Sequence, residues 1–157
     1  MNLKVLALIL TILIISVSNV EANENRQFIT VVNPVRISRY SPDPAASLRA
    51  QYAVIAKNNL PVTWLLAYDA LNHPDLVKEA EKMDKQQELG IFLEVSPEFS
   101  KVAGVEYHNT GSWHFANAVF LSGYTQEERI KLIDTVFSKF KQEFGYYPQS
   151  IGAWWVD

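Results

Sequence analysis

The sequence predicts an α/β fold in which parallel strands alternate with helices, and three observations support this prediction. Apolar runs of strand length occur at Pro61–Asp69, Leu89–Ser96 and Ser150–Asp157, and they are nearly continuous, as in strands that are buried on both faces. Segments with apolar residues at helical spacing lie between the strand candidates. Such alternation implies right-handed crossovers and therefore a single parallel sheet.

The elements follow one another in the order β-α-β-α-β-loop-α-β. We predict strands over residues 28–36, 62–68, 89–95 and 150–156, and helices near 44–58, 74–84 and 126–144. The second helix is expected to be capped by Asn72 and entered through Pro74. A longer connection, Pro97–Tyr124, has mixed character, and connections of this length are commonly functional or insertional.

The last helix has the clearest boundaries. Thr125 and Glu128 have the spacing of a capping box, in which the hydroxyl and the carboxylate each bind the other residue's backbone amide. Gly145 has the position of a C-terminal cap. The predicted apolar stripe between these ends consists of Ile130, Ile133, Val136, Phe137, Phe140 and Phe144.

Composition and the N-terminus limit the classes of protein to which the chain can belong. The net charge of −3 gives no basic footprint for nucleic acid, and the absence of cysteine excludes disulfides and thiolate chemistry. Lys4, the apolar run Val5–Val17 and Val20-Glu21-Ala22 match the parts of a signal peptide. We therefore expect residues 1–22 to be a signal peptide and the domain to be secreted or extracytoplasmic. Membrane contact is expected only through this segment, if it stays uncleaved.

Acidic side chains follow three of the predicted strands. Asp69, Glu94 and Asp157 lie at strand ends that share one edge of a parallel sheet, where ligand sites form. Two carboxyl groups about 5 to 10 Å apart can perform acid–base or nucleophilic chemistry on a glycosidic bond. These three residues are the candidate catalytic groups. The alternative is that each carboxylate caps a helix or pairs with Arg36 or a lysine.

Candidate ligand-binding side chains lie near the same strand ends. They are Arg36, Tyr68, Trp113 and Trp154. Most tryptophans in such a fold pack in the core, and stacking on a sugar is the alternative for one or two of them.

Other chemistries have little support in the sequence. The histidines His73, His108 and His114 have no spacing typical of metal ligands, and His73 is interpreted as a solvated loop residue. The chain has neither a Gly-x-Ser-x-Gly elbow nor a glycine-rich phosphate loop. We therefore predict no metal site and no cofactor.

The chain has four informative segments, Asn59–Trp64, Gln87–Gly90, Phe144–Pro148 and Ile151–Trp154. Taken in order, they resemble the polysaccharide deacetylase (NodB-homology) group of the glycoside hydrolase/deacetylase (β/α)-barrel superfamily. Asn59–Trp64 resembles that family's entry into its second strand, and Gln87–Gly90 resembles the His-Glu-Ile-Gly entry into the third. Phe144–Pro148 and Ile151–Trp154 resemble the approach to its Phe-Arg-x-Pro motif. The resemblance covers residues 28–157 and implies a barrel fold, an extracytoplasmic setting and a role connected with carbohydrate.

The chain departs from the family pattern at the metal ligands. Where the family has paired aspartates after strand one, this chain has Asn33-Pro34-Val35-Arg36. Phe92 and Ser96 occupy the positions of the two histidine ligands, and Gly152 replaces the arginine of the later motif. The zinc-dependent deacetylase mechanism is therefore not expected here.

Two hypotheses about function follow from the residues and the resemblance together. The first is a carbohydrate-active barrel enzyme, a carboxylate-dependent hydrolase acting on polysaccharide through Glu94, Asp157 and Asp69. The second is a non-catalytic domain that binds carbohydrate or a cell-envelope glycan. Because four strands cannot close a barrel, we expect this chain to be the N-terminal part of an incomplete (β/α) barrel, truncated at its C-terminus.

Overall fold

The structure is a computed structural model that describes residues 29–37, 41–109, 111 and 115–154. Its strands are β1 (Val32–Val35), β2 (Thr63–Ala67), β3 (Glu88–Leu93) and β4 (Ile151–Ala153). Its helices are α1 (Ala46–Lys57), α2 (Tyr68–Leu71), α3 (Pro74–Glu81), α4 (Pro97–Val102), α5 (Ala116–Val119) and α6 (Gln126–Phe144), with a 3₁₀ turn at Leu121–Gly123.

The four described strands form one parallel sheet with the order β1-β2-β3-β4. Leu66 of β2 is in register with Val35 of β1 and with Ile91 of β3, and Ile91 is in register with Ile151 of β4. Each strand is therefore paired with its neighbour in the sequence. The predicted α/β class and parallel pairing are confirmed.

The helices cover one face of this sheet. Trp64, Leu66 and Ile91 point to that face and are completely buried. They belong to one core cluster with side chains of α1, α3 and α6, among them Leu48, Leu76, Ala80, Leu132, Val136 and Phe140. The main core thus lies between the sheet and its helices.

The opposite face of the sheet is formed by the alternate residues of the strands. Leu65, Ala67 and Phe92 form a second, smaller buried cluster there. Leu65 fills the space beside two glycines: a Cβ added at Gly152 would collide with Leu65, and one added at Gly90 would collide with Leu65 and with the Ser150 carbonyl oxygen. We call this second surface the inner face.

Helix α6 is bounded as the sequence predicts, but its buried stripe differs. Both hydrogen bonds of the capping box between Thr125 and Glu128 are present, and Gly145 ends the helix in the left-handed region with φ of 80°. The buried side chains are Leu132, Val136 and Phe140, at a spacing of four residues, whereas Ile130 is exposed. The predicted stripe therefore included the exposed Ile130 and left out the buried Leu132.

Several predicted boundaries need correction. Strands β1 and β2 lie inside their predicted ranges, whereas β3 begins one residue earlier, at Glu88, and ends two residues earlier, at Leu93. Within the described residues β4 spans Ile151–Ala153, and residues 155 and 156 of its predicted range lie outside them. Asn72 does not cap α3; His73 is at the N-cap position, and its side chain makes no capping bond. The long connection carries two short helices, α4 and α5. Among the described residues, no helix has the length and apolar character needed to cross a membrane.

Candidate functional site

A cavity of about 630 Å³ lies at the carboxyl ends of the first three strands. Its wall includes Arg36 after β1, Asp69 in α2 after β2, and Glu94 and Ser96 after β3. Ala67, at the end of the inner face, also lines it. The parallel topology therefore brings together side chains that are far apart in the sequence.

Glu94 is at the centre of the charged part of this wall. Arg36 donates from Nη2 to Oε1 of Glu94 at 2.5 Å, and Trp154 donates from Nε1 to Oε2 at 2.6 Å. The Glu94 side chain is 13% exposed and that of Arg36 is 39% exposed, so the ion pair is partly shielded from water. Both carboxylate oxygens of Glu94 thus have a charged or aromatic donor.

Trp154 is an aromatic side chain with a defined orientation and an exposed surface. Its indole N–H is bound to Glu94, and its ring meets Phe92 of the inner face edge-on at 5.3 Å and 82°. The Arg36 guanidinium lies 5.6 Å from the ring centre. Nevertheless 49% of the residue remains exposed. Such a held ring can stack on a ligand with little loss of side-chain entropy.

Asp69 accepts a hydrogen bond from a residue that follows β3. Ser96 donates from its hydroxyl to Oδ1 of Asp69 at 2.8 Å, and the same hydroxyl accepts the backbone N–H of Phe99 at 3.2 Å. Ser96 is therefore the N-cap of α4 as well as a donor to Asp69. This bond links the ends of two neighbouring strands across the cavity wall.

Tyr107 contributes a phenol to the same wall. Burial, and secondly the negative charge of Glu94, raise the pKa of Tyr107 above its ordinary value. The phenol therefore remains protonated at neutral pH and can donate a hydrogen bond. Tyr107 was not predicted from the sequence, because it comes from the irregular part of the long connection.

His73 also lines the cavity, which corrects its interpretation as a solvated loop residue. The residue is half-buried, and its Nδ1 atom is sealed from solvent without a hydrogen-bond partner. The strand end did not indicate it, since His73 lies six residues beyond the end of β2, whereas Asp69 lies two residues beyond it.

The other predicted site residues do not line this cavity, or lie outside the described residues. Tyr68 is buried in the main core and stacks on Phe99 at 4.5 Å and 15°. Asp157 and Trp113 lie outside the described residues, as does the predicted signal peptide 1–22. Within the part of the chain that the structure describes, no group of three histidine, cysteine or acidic side chains could hold a metal ion.

The arrangement distinguishes between the two interpretations of the acidic residues. Glu94 is paired with Arg36, and Asp69 is bonded to the residue that begins α4. Both carboxylates therefore have the arginine or helix-start partner that the alternative interpretation expects.

The chain was also compared with known proteins. No protein-family model, curated protein or solved structure matches it.

Proposed function

We propose that this chain is a carbohydrate-binding domain of the (β/α)-barrel type, which holds a polysaccharide or cell-envelope glycan at the carboxyl ends of its strands. The observation that carries the proposal is the fixed, half-exposed Trp154 ring, which lies outside the cavity lining and donates a hydrogen bond to Glu94 of the Glu94–Arg36 pair in the cavity wall. Sugar rings have an apolar face and a polar edge. An aromatic ring next to groups that donate and accept hydrogen bonds is complementary to both.

The sheet topology supports the barrel part of the proposal. In a doubly wound sheet the strand order reverses at one point, and helices lie on both faces. Here the order follows the sequence, and the described helices share one core on one face. A singly wound sheet of this kind is the arrangement of a (β/α) barrel, and it agrees with the resemblance to the glycoside hydrolase/deacetylase superfamily.

A location outside the cytoplasm is part of the same proposal. The composition of residues 1–22 supports export through a signal peptide, and glycans of the cell envelope are encountered outside the cytoplasm.

A second candidate is a carboxylate-dependent hydrolase. The observation in its favour is that Asp69 and Glu94 line the same cavity, where a sugar ring could lie between them. In this case Glu94 would act on the bound glycan, and Asp157 would be the third candidate acid. The two candidates differ in turnover: only the hydrolase releases reducing ends from a polysaccharide.

Binding can be tested by calorimetric titration of the full-length protein with cellotetraose, xylotetraose and N-acetylchitotetraose. We expect at least one of them to bind, and Trp154→Ala and Glu94→Gln each to weaken that binding by about tenfold or more, which corresponds to about 1.4 kcal/mol.

Two matched controls come from the opposite end of the strands. Glu88 is the first residue of β3, whereas Glu94 follows its last, so Glu88→Gln removes a carboxylate away from the cavity. Tyr147 is an exposed aromatic residue that precedes β4, and Tyr147→Ala removes a ring of similar exposure. Both controls should bind normally. Equal losses in controls and site variants would contradict the proposal.

A further inference from the structure

His73 is a cavity-lining residue whose chemistry the proposed function does not use. Its Nδ1 atom has no hydrogen-bond partner and no contact with solvent, and it is the only such side-chain atom that is reported for the described residues. Nε2 of the same ring is not sealed in this way. The closed part of the ring is thus at Nδ1, and the half-buried residue meets the cavity through the rest of the ring.

This asymmetry determines which nitrogen carries the proton. A neutral imidazole has one N–H donor and one lone-pair acceptor. A buried N–H group without an acceptor is among the rarest arrangements in proteins, because it loses its hydrogen bond to water without replacement. Placing the proton on Nε2 leaves only a lone pair at the closed Nδ1. The Nε2–H is then in the part of the ring that meets the cavity, where an acceptor can reach it.

The charges of the cavity wall indicate whether the ligand atom that accepts this hydrogen bond is charged or neutral. Among the described residues that line the cavity, Asp69, Glu94 and Glu98 contribute three carboxylates, against the guanidinium of Arg36. An anionic ligand group, such as a carboxylate or a phosphate, would be repelled by this excess of negative charge. An uncharged oxygen is not repelled. A hydroxyl oxygen can accept from His73 while its own proton is donated to a carboxylate of the wall.

We propose that His73 is a ligand-binding residue whose ring is protonated at Nε2. This Nε2–H donates a hydrogen bond to a hydroxyl oxygen of an uncharged saccharide. This inference rests on the proposed function for its ligand and assigns a specificity to the same site. The tautomer itself follows from the protein alone, so the two parts can fail separately.

The tautomer is tested without any ligand. Long-range ¹H–¹⁵N correlation spectra of the ¹⁵N-labelled protein, recorded with the His73 ring in its neutral form, distinguish a protonated ring nitrogen from one with a lone pair, and His73→Gln identifies the signal. We expect Nε2 to be protonated and Nδ1 to carry the lone pair. Protonation of Nδ1 would overturn the proposal, whatever the protein binds.

The ligand part is tested with cellotetraose and with tetragalacturonate as its anionic counterpart. We expect cellotetraose to shift the His73 Nε2 resonance, and tetragalacturonate to bind at least tenfold more weakly. Tighter binding of tetragalacturonate would overturn the specificity. No binding of either probe, with the expected tautomer, would overturn the ligand role of His73, whereas the proposed function would fall only if xylotetraose and N-acetylchitotetraose also failed to bind.

Substitutions separate a donor role from a structural one. His73→Leu removes the donor and should weaken cellotetraose binding by about fivefold, the effect of one neutral hydrogen bond of about 1 kcal/mol. His73→Gln keeps an amide N–H donor and should restore most of the affinity. Because the His73 side chain does not cap α3, neither change removes a capping bond. Equal weakening by both would contradict the donor role.

Discussion

The two glycines beside Leu65 allow a sharp test of how the inner face is packed. A Cβ at Gly90 would collide with the Ser150 carbonyl oxygen and with Leu65, whereas a Cβ at Gly152 would collide only with Leu65. The Ser150 carbonyl accepts the Ile91 N–H at 3.0 Å and cannot retreat without weakening the pairing of β3 with β4. The Leu65 side chain can change its rotamer. Gly90→Ala should therefore destabilise the protein much more than Gly152→Ala.

The difference can be estimated from general magnitudes. Overpacking costs about 1–3 kcal/mol, and we assign about 3 to Gly90→Ala and about 1 to Gly152→Ala, because only the former meets backbone. Replacing a strand glycine returns roughly 0.5 kcal/mol of chain entropy in each case. The net losses in the free energy of unfolding are then about 2.5 and 0.5 kcal/mol.

Urea denaturation of both variants measures these losses, and a Leu65→Ala background supplies the control. Without the Leu65 side chain, Gly152→Ala should cost nothing further, while Gly90→Ala should keep most of its penalty because the Ser150 carbonyl remains. If Gly90→Ala is no more destabilising than Gly152→Ala, the packing described for the inner face is incorrect.

Three further predictions concern the helix cap, a buried phenol and metal binding. Thr125→Ala should lower the free energy of unfolding by about 1 kcal/mol, measured by urea denaturation, because it removes the cap of α6. Bonds from the Thr125 amide and hydroxyl lower the pKa of Glu128, so its stabilisation is present above the ordinary pKa of 4.5 and is lost as the pH falls through the lowered value. Glu128→Gln should remove this acid-sensitive part. Burial raises the pKa of Tyr124 from 10.0 to about 12. The stabilisation that comes from its protonated phenol is therefore present below pH 10 and declines as the pH rises towards 12. In Tyr124→Phe the melting temperature should fall less steeply over this alkaline range. Added zinc should leave the melting temperature unchanged, and a stoichiometric rise would contradict this.

Much of the fold follows from local features of the sequence. The Thr125 and Glu128 pair specifies the start of α6, and the continuous apolar runs specify buried parallel strands, because both signals act over a few residues. The buried stripe of α6 was less accurately predicted. Ile130 and Leu132 are equally apolar, and only the tertiary position of the helix decides that Leu132 is the one to be buried.

The site was predicted in part. Parallel topology places Arg36, Asp69 and Glu94 at one edge of the sheet, and this could be inferred from strand ends alone. The partners of these residues could not be inferred. That Ser96 binds Asp69 depends on the geometry of a helix start in a different part of the sequence. The contribution of His73 depends on which ring nitrogen is sealed, and this is a property of the packed structure.

We propose that Glu94 and Trp154 form a glycan-binding surface and do not catalyse hydrolysis. The most direct measurement compares binding and turnover of one polysaccharide, soluble hydroxyethyl cellulose, by the full-length protein and by Glu94→Gln and Trp154→Ala. We predict binding that either substitution weakens by about tenfold, with no release of reducing ends by any of the three proteins. Release of reducing ends that depends on Glu94 would contradict the account and establish the hydrolase instead.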